Sequence, residues 1–419
     1  MTKAYLDMVY LFSCAVFGEE PDQSKCHDID VSAIREEATL QGVWPFVLTS
    51  LQKLRDRGEL AGWEQQMDSY KMEILFAVMN YTQRHTLMLE KIRLLEQEKI
   101  PVCILKGDSL AVLYARPECR ISGDVDIYIP PYMEKQACAL LKNEGFELYT
   151  RPKGLPHVEA DHPQAGHLEM HVMLYDDVSE EQWFPERDSI TEPFGKFRSE
   201  YGEFSQLGPT DGALFVFFHF VKHFLYSGGG IKQLADVLVY FQTHKDKINH
   251  RRIQEKLAQA RCSRLFAAMV GVGVKYLGFC ASDFQMIETD ETLVDRLMED
   301  FAERGGFLRE ADENGIIFVS YVKERLKERG IEGDSYLVRK QNEKTKSMLF
   351  PTRKTMEENY PYVKRHPFLL PVGWIHRAIR FVFGKLFGKK KDNGIYRNVE
   401  AEKEIQQKRT LLAKDLEVL

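Results

Sequence analysis

The chain has 419 residues, 44% of them hydrophobic, and a formal net charge of −6 at pH 7. That length supports roughly two to three domains with ample core, and the apolar share excludes a disordered polymer. Seven cysteines (14, 26, 103, 119, 138, 262, 280) show neither CxxC pairs nor zinc spacing. They exclude a disulfide framework and predict a reducing, cytoplasmic setting.

Residues 1–98 read as helices. Leu6–Phe17 is mildly apolar, but it contains Asp7 and Ser13 and meets Gly18-Glu19-Glu20-Pro21, a poor cleavage site. A helix is expected there rather than a signal peptide. Gln65–Gln97 places Leu75, Val78, Met79, Leu87, Leu89, Ile92 and Leu95 at three- and four-residue spacings, the signature of a long amphipathic helix. No apolar run reaches the length of a membrane-spanning helix.

Residues 99–205 read as a mixed core with strands. Ile100–Leu105 is a short apolar run bounded by turn residues, a buried strand. Lys106-Gly107-Asp108-Ser109 follows, then a short helix over Leu110–Ala115, stopped before Pro117. Met133–Glu144 has helical spacing and ends at Gly145. Phe146–Thr150 and His167–Leu174 are two more strand candidates, separated by a stretch rich in Pro, Gly and His. There His157, His162 and His167 recur at five-residue intervals, which is neither helix nor strand spacing, and a loop is predicted.

Residues 206–338 return to helices: Asp211–Tyr226, Ile231–Thr243, Ile253–Leu277 and Thr292–Ala302. Ser227-Gly-Gly-Gly230 breaks the first pair. Ile316–Leu326 fits strand or helix. Residues 339–419 form a basic segment. Between Arg339 and Lys391 fourteen Lys/Arg stand against three Glu, net +11 in a chain of net −6, so an anionic partner is expected there. An amphipathic helix at about Val372–Phe387 joins Trp374, Phe383 and Phe387 on one face to Arg377, Arg380 and Lys389–Lys391. Such a helix suits an anionic membrane surface, peripherally at the inner face, or packs on the protein's own core.

The residues most suggestive of chemistry are Arg120-Ile-Ser-Gly123-Asp124-Val-Asp126-Ile-Tyr-Ile129. On a strand, residues i and i+2 share a face, so Asp124 and Asp126 project side by side. Two such carboxylates repel unless a cation lies between them, and an all-oxygen donor set suits Mg²⁺. On His167–Leu174, Glu169 and His171 share a face, so Glu169 offers a third carboxylate. Glycine between strand and helix lets backbone N–H groups approach a phosphate. Lys106 adds charge, and Ser109 caps the helix or meets a phosphate oxygen.

Strand, Lys-Gly, helix, Arg-x-x-Gly-Asp-x-Asp, helix and a strand with acid-x-His resemble the nucleotidyltransferase superfamily with the DNA polymerase β-like palm. More narrowly, the chain resembles the bacterial family of uncharacterised nucleotidyltransferases (type 5). Tyr114 and Arg120 fit that pattern, as do Ala38–Phe46, His219–Tyr240 with Asp236, Tyr360–Val363 and Leu369–Trp374. Lys106-Gly107 replaces the wider superfamily's Gly-Gly or Gly-Ser, and Glu169 replaces the more usual Asp.

The resemblance implies an α+β fold: a nucleotidyltransferase palm, a small mixed sheet with helices, flanked by N- and C-terminal helical regions. It implies Mg²⁺ or Mn²⁺ on Asp124, Asp126 and Glu169, with Glu169 a third ligand or base. It implies nucleotide contacts from Lys106, Gly107, Ser109, Arg120 and Gly123. The activity implied is transfer of a nucleoside monophosphate from an NTP to a hydroxyl acceptor: a small molecule, sugar, protein or RNA. The alternative is a catalytically inactive nucleotide-binding or membrane-associated protein on the same fold.

His171 either orients Glu169, touches substrate or is a satisfied core histidine. Lys232 and Asp236 are placed to reach the nucleotide from the helical region, or lie on solvated faces. His219 and His223 have the i, i+4 spacing of metal ligands but lack the Glu of a zinc-protease motif. Packing is expected of them.

Overall fold

The computed structural model describes residues 1–26, 29–60, 62–149, 157–174, 190–226, 229–285, 289–304, 356, 360, 362–363, 366–374, 376 and 407–418. Two compact units are formed, one by Met1–Asp312 with Leu411–Leu419, the other by Glu313–Thr410.

The first unit opens with helices α1 (Lys3–Phe17), α2 (Val31–Leu40), α3 (Trp44–Asp56) and α4 (Glu64–Gln97). Thr2 caps α1 at its start and Gly18, at φ 72°, closes it in the left-handed region that suits glycine. The strand region runs β1 (Cys103–Lys106), α5 (Asp108–Ala111), β2 (Asp124–Tyr128), α6 (Glu134–Asn143), β3 (Glu147–Leu148), β4 (His157–His162), β5 (Gly166–His171), β6 (Gly195–Ser199) and β7 (Gly202–Gln206). Helices α7 (Pro209–Tyr226), α8 (Ile231–Thr243), α9 (His250–Gln259), α10 (Ser263–Leu277) and α11 (Glu291–Arg304) follow.

The seven strands form one mixed sheet in the order β3-β4-β5-β2-β1-β7-β6. β1 and β2 run antiparallel, and β2 and β5 parallel. Ile104, Ile127, Ile129, Leu168 and Met170 pack with Leu89, Ile92 and Leu95 of α4 and Ala137 and Leu141 of α6. Each such Ile, Leu or Met side chain stabilises by about 1.5–3 kcal/mol when fully buried. This layer fixes the central strands rigidly, and so fixes the polar residues that alternate with the apolar ones. The α+β class expected from the sequence is the one observed.

Three local expectations are corrected. The His-rich stretch is not all loop: β4 occupies 157–162, placing His157 and His162 on one strand and His167 on the next. The strand was signalled by Val158 and Ala160, both buried, whose period of two was masked by the histidine spacing. The helix expected over Ile253–Leu277 is two helices, because Arg261 adopts φ 55° between α9 and α10. Residues 195–206, where no particular strand is expected within the mixed core, form the β6–β7 hairpin.

In the second unit, Met356, Tyr360 and Val363 make a small buried cluster with Trp374 packed against it. The apolar face assigned to the basic helix therefore begins, at Trp374, against protein. Ile316–Leu326 and 377–387 lie outside the described residues. No described helix is long and apolar enough to cross a membrane.

Candidate active site

Register assembles the carboxylates. Asp126 on β2 faces Lys106 on β1 and Glu169 on β5, while Tyr128 faces His171. The period-two rule then brings Asp124, Asp126 and Glu169 onto one face. A ligand oxygen from each lies within 4.8 Å of the others.

Three negative groups this close need compensating charge. Lys106 supplies one: its Nζ lies 3.2 Å from Asp124 Oδ2 and 3.2 Å from Asp126 Oδ2. Burial works to deprotonate this ammonium, but the three surrounding acids win and hold its proton more tightly than in free lysine. His171 supplies the second, with Nε2 3.1 Å from Asp126 Oδ1 and 3.6 Å from Glu169 Oε2. Burial disfavours its charge, yet its bonds to the two carboxylates raise its proton affinity on balance.

The three acids respond differently. Asp126 is fully buried; burial raises its pKa, and Lys106 and His171 do not cancel that effect. Asp124, its side chain 32% exposed, is desolvated less, and Lys106 draws its carboxyl below the usual range despite burial. Burial also raises Glu169, but His171, His157 and Lys106 outweigh it and hold Glu169 well below its usual range. Although Lys106 is near, Asp126 Oδ2 is buried without a hydrogen-bond partner. The ion pair is out of hydrogen-bond alignment, so that oxygen remains available to a cation. With three oxygen donors, the residues fit a hard divalent ion.

A cavity of about 410 Å³ opens on this face, lined in part by Lys106, Arg120, Gly123, Asp124, Lys232 and Asp236. Phe215, Phe220 and Leu110 supply apolar wall. Several of the sequence candidates thus line one cavity beside the carboxylates, though not all as expected. Arg120 is turned inward: Nε and Nη2 donate to Asp236 at 2.7 and 2.9 Å, and Nη1 donates to Gly107 O at 3.0 Å. Tyr114 adds a third bond to Asp236 at 2.7 Å. Arg120 therefore ties α8 to the turn after β1, and Asp236 is its counter-ion. Gly107 takes φ 89°, which favours glycine; a Cβ there would meet nothing closer than 3.9 Å, so backbone conformation, not space, demands it. Ser109 is buried and donates to Leu105 O at 3.3 Å. Lys232 donates to Ile121 O at 2.6 Å, and burial with the nearby Arg120 draws its pKa down to about 8.

Two histidines join the site that sequence reasoning left out. His219 Nε2 lies 3.0 Å from Lys106 Nζ and 2.8 Å from His223 Nε2, so these rings of α7 wall the cavity beside the carboxylates. Their four-residue spacing was the available signal. Burial and the neighbouring Lys106 push His223 down to about 3 and His219 below its ordinary value. His157 Nε2 stands 3.9 Å from Glu169 Oε2. Only recognising β4 could have found it.

Residues 27–278 match the family described as uncharacterised nucleotidyltransferases. No curated protein matches. Among solved structures, the lincosamide antibiotic adenylyltransferase LnuA with lincomycin bound is similar at 14% identity over 36% of this chain and 93% of that one, TM-score 0.26. An antigenic nucleotidyltransferase-like protein from Paracoccidioides brasiliensis is similar at 15% identity over 49% of this chain and 98% of that one, TM-score 0.30. Likeness at that level says nothing of what this chain binds.

Proposed function

The chain belongs to the uncharacterised nucleotidyltransferase family, and on that premise we propose a metal-dependent transferase that moves a nucleoside monophosphate from an NTP to a hydroxyl acceptor. In this reaction the acceptor oxygen bonds to the α-phosphorus, the bond from that phosphorus to the bridging oxygen breaks, and pyrophosphate leaves. The hydroxyl proton passes to a base or to solvent. Mg²⁺ or Mn²⁺, when bound, neutralises charge on the triphosphate and on the attacking oxygen.

Asp124, Asp126 and Glu169 are the residues to hold that ion. The observation carrying the reading is the convergence of the three on adjacent strands, with Asp126 Oδ2 buried and unbonded. Because its neighbours depress the proton affinity of Glu169, a ligand role suits it better than that of general base. His171 fixes the orientation of Asp126 and Glu169. Lys106 has charge to offer a phosphate, and Gly123 leaves its backbone open to the cavity. Arg120 and Asp236 act by positioning the Gly107 turn and need not touch nucleotide.

The test is NTP binding with Mn²⁺, scored for Asp124→Asn and Asp126→Asn. Each removes one charge at nearly constant size, and each is expected to abolish metal-dependent binding with the fold intact. Parent-like binding by both variants overturns the assignment.

A further inference from the structure

Beyond the aspartate pair, the far side of Glu169 carries a second set of donors. His157 and His171 face each other across β4 and β5, and Glu159 faces Glu169 in the same ladder. The two rings lie 4.9 Å apart by centroid. His157 Nε2 is 3.9 Å, and His171 Nε2 3.6 Å, from the same Glu169 oxygen, Oε2. One ligand atom from each of His157, Glu169 and His171 lies within 4.8 Å of the others. Tetrahedral bonds of about 2.0–2.2 Å place donors about 3.3–3.6 Å apart, so donors at the 4.8 Å limit close on an ion through side-chain movement of up to roughly 1.5 Å. The nitrogens nearest Glu169 are the two Nε2 atoms: that of His157 meets the carboxylates of Glu159 and Glu169 only at 3.7 and 3.9 Å, while that of His171 also bonds Asp126 Oδ1 at 3.1 Å.

We propose that His157, Glu169 and His171 form a second cation site, one that takes a borderline transition ion such as Zn²⁺, with Glu169 shared between it and the aspartate pair. Donor chemistry sets the selectivity. Two imidazoles and one carboxylate favour Zn²⁺ or its Co²⁺ surrogate, whereas three carboxylates favour Mg²⁺ or Mn²⁺. Glu159, with Oε1 3.7 Å from His157 Nε2 and its side chain 47% exposed, stands on the open side where a fourth donor or water completes the shell. His171 Nε2 also bonds Asp126 Oδ1, so a cation entering at that nitrogen takes the place of a ring proton. The site shares Glu169 with the proposed catalytic reading but does not require that the chain transfer nucleotides.

The experiment uses the full-length protein stripped with chelator and titrated with Zn²⁺ or Co²⁺ alone, without nucleotide. The parent is expected to bind Zn²⁺ and to give the intense visible Co²⁺ absorption of a low-coordinate, nitrogen-bearing site. His157→Gln is expected to weaken Zn²⁺ binding about tenfold or more and to remove the Co²⁺ band. His157→Asp, which restores a ligand, recovers part of the affinity and guards against a folding defect, checked by circular dichroism. Asp124→Asn leaves the Zn²⁺ affinity in place. A parent without the band, or a folded His157→Gln that binds Zn²⁺ like the parent, overturns the site. Loss of Zn²⁺ in Asp124→Asn but not in His157→Gln assigns the ion to the aspartates and overturns it too. Failure of the catalytic reading shows separately, as unchanged Mn²⁺-NTP binding in both aspartate variants.

Discussion

Asp236→Asn isolates one charge in the Arg120–Asp236–Tyr114 network. Both charged partners are buried, at 5% and 7% exposure, and the guanidinium makes two bonds to the carboxylate at 2.7 and 2.9 Å. At such a separation the gross attraction is roughly 6 kcal/mol for an effective dielectric of about 20, against which desolvation of both groups counts. Removing one partner is more damaging than the net value of the pair, because the guanidinium stays buried without a counter-ion; about 3–5 kcal/mol is expected. Lys232 sharpens the effect, since Arg120 and Lys232 already repel and would then share no acid. The loss is a large part of a total of about 5–15 kcal/mol. Urea denaturation measures it as a lower midpoint at constant slope. Arg120→Met with Asp236→Leu should be less destabilised than Asp236→Asn alone, since no charge is stranded. The sign with pH follows. Burial raises Asp236, but Arg120 outweighs it and the folded pKa is lowered. The pair's stabilisation is therefore present above the unfolded carboxylate value of about 3.9 and is lost as pH falls through the folded value. A loss under about 1 kcal/mol, as for an exposed pair, would refute the reasoning.

Three other outcomes follow from the site. With Glu169 a ligand, Glu169→Gln should raise the Mg²⁺ concentration at half-maximal activity by roughly 10–100-fold; a fall in kcat at unchanged Mg²⁺ requirement would instead make it a base. Lys106→Met removes the ammonium between Asp124 and Asp126, so Mg²⁺ should raise its thermal midpoint more than the parent's, and equal increments would count against the shared position. His157 and His223, both pushed by burial to about 3, favour the native state fully above the unfolded value of about 6.5 and progressively less as pH falls toward 3, by about 1.4 kcal/mol per pH unit each. The raised His167 and His171 act oppositely, stabilising below about 6.5 and losing that contribution as pH rises through their folded values. Urea midpoints between pH 4 and 7 should flatten in His223→Gln, and a parallel curve would show that His223 is not buried neutral.

What the sequence made legible was local. Asp124, Asp126, Glu169 and His171 sit on strands whose apolar neighbours alternate with them, so their shared face follows from the pleat. Ile231–Thr243 carried both its periodicity and a glycine before it, and the helix has those bounds. What stayed hidden required partners distant in sequence. Arg120 finds Asp236 at a separation of 116 residues, and Lys106 finds His219 at 113. Nothing local distinguishes an arginine that binds phosphate from one that satisfies a buried acid. The break between α9 and α10 was hidden for another reason: one residue at positive φ leaves the apolar spacing intact on either side.

If the site takes a metal–nucleotide complex as proposed, Lys106 has to move to admit it. Its ammonium lies between two carboxylates and against His219. A divalent cation entering between Asp124 and Asp126 needs that same space and repels the ammonium, while the triphosphate accompanying the cation attracts it. Each half of the exchange is unfavourable alone: a cation without phosphate displaces a paired lysine toward nothing, and phosphate without a cation meets three carboxylates. Together they balance, because the lysine exchanges one set of anionic oxygens for another as the cation takes its place. On the proposed reading, Lys106-Gly107 in place of Gly-Gly or Gly-Ser is expected to favour cation and nucleotide entering as one complex, and Mn²⁺ binding by the parent as tight without NTP as with it would refute this.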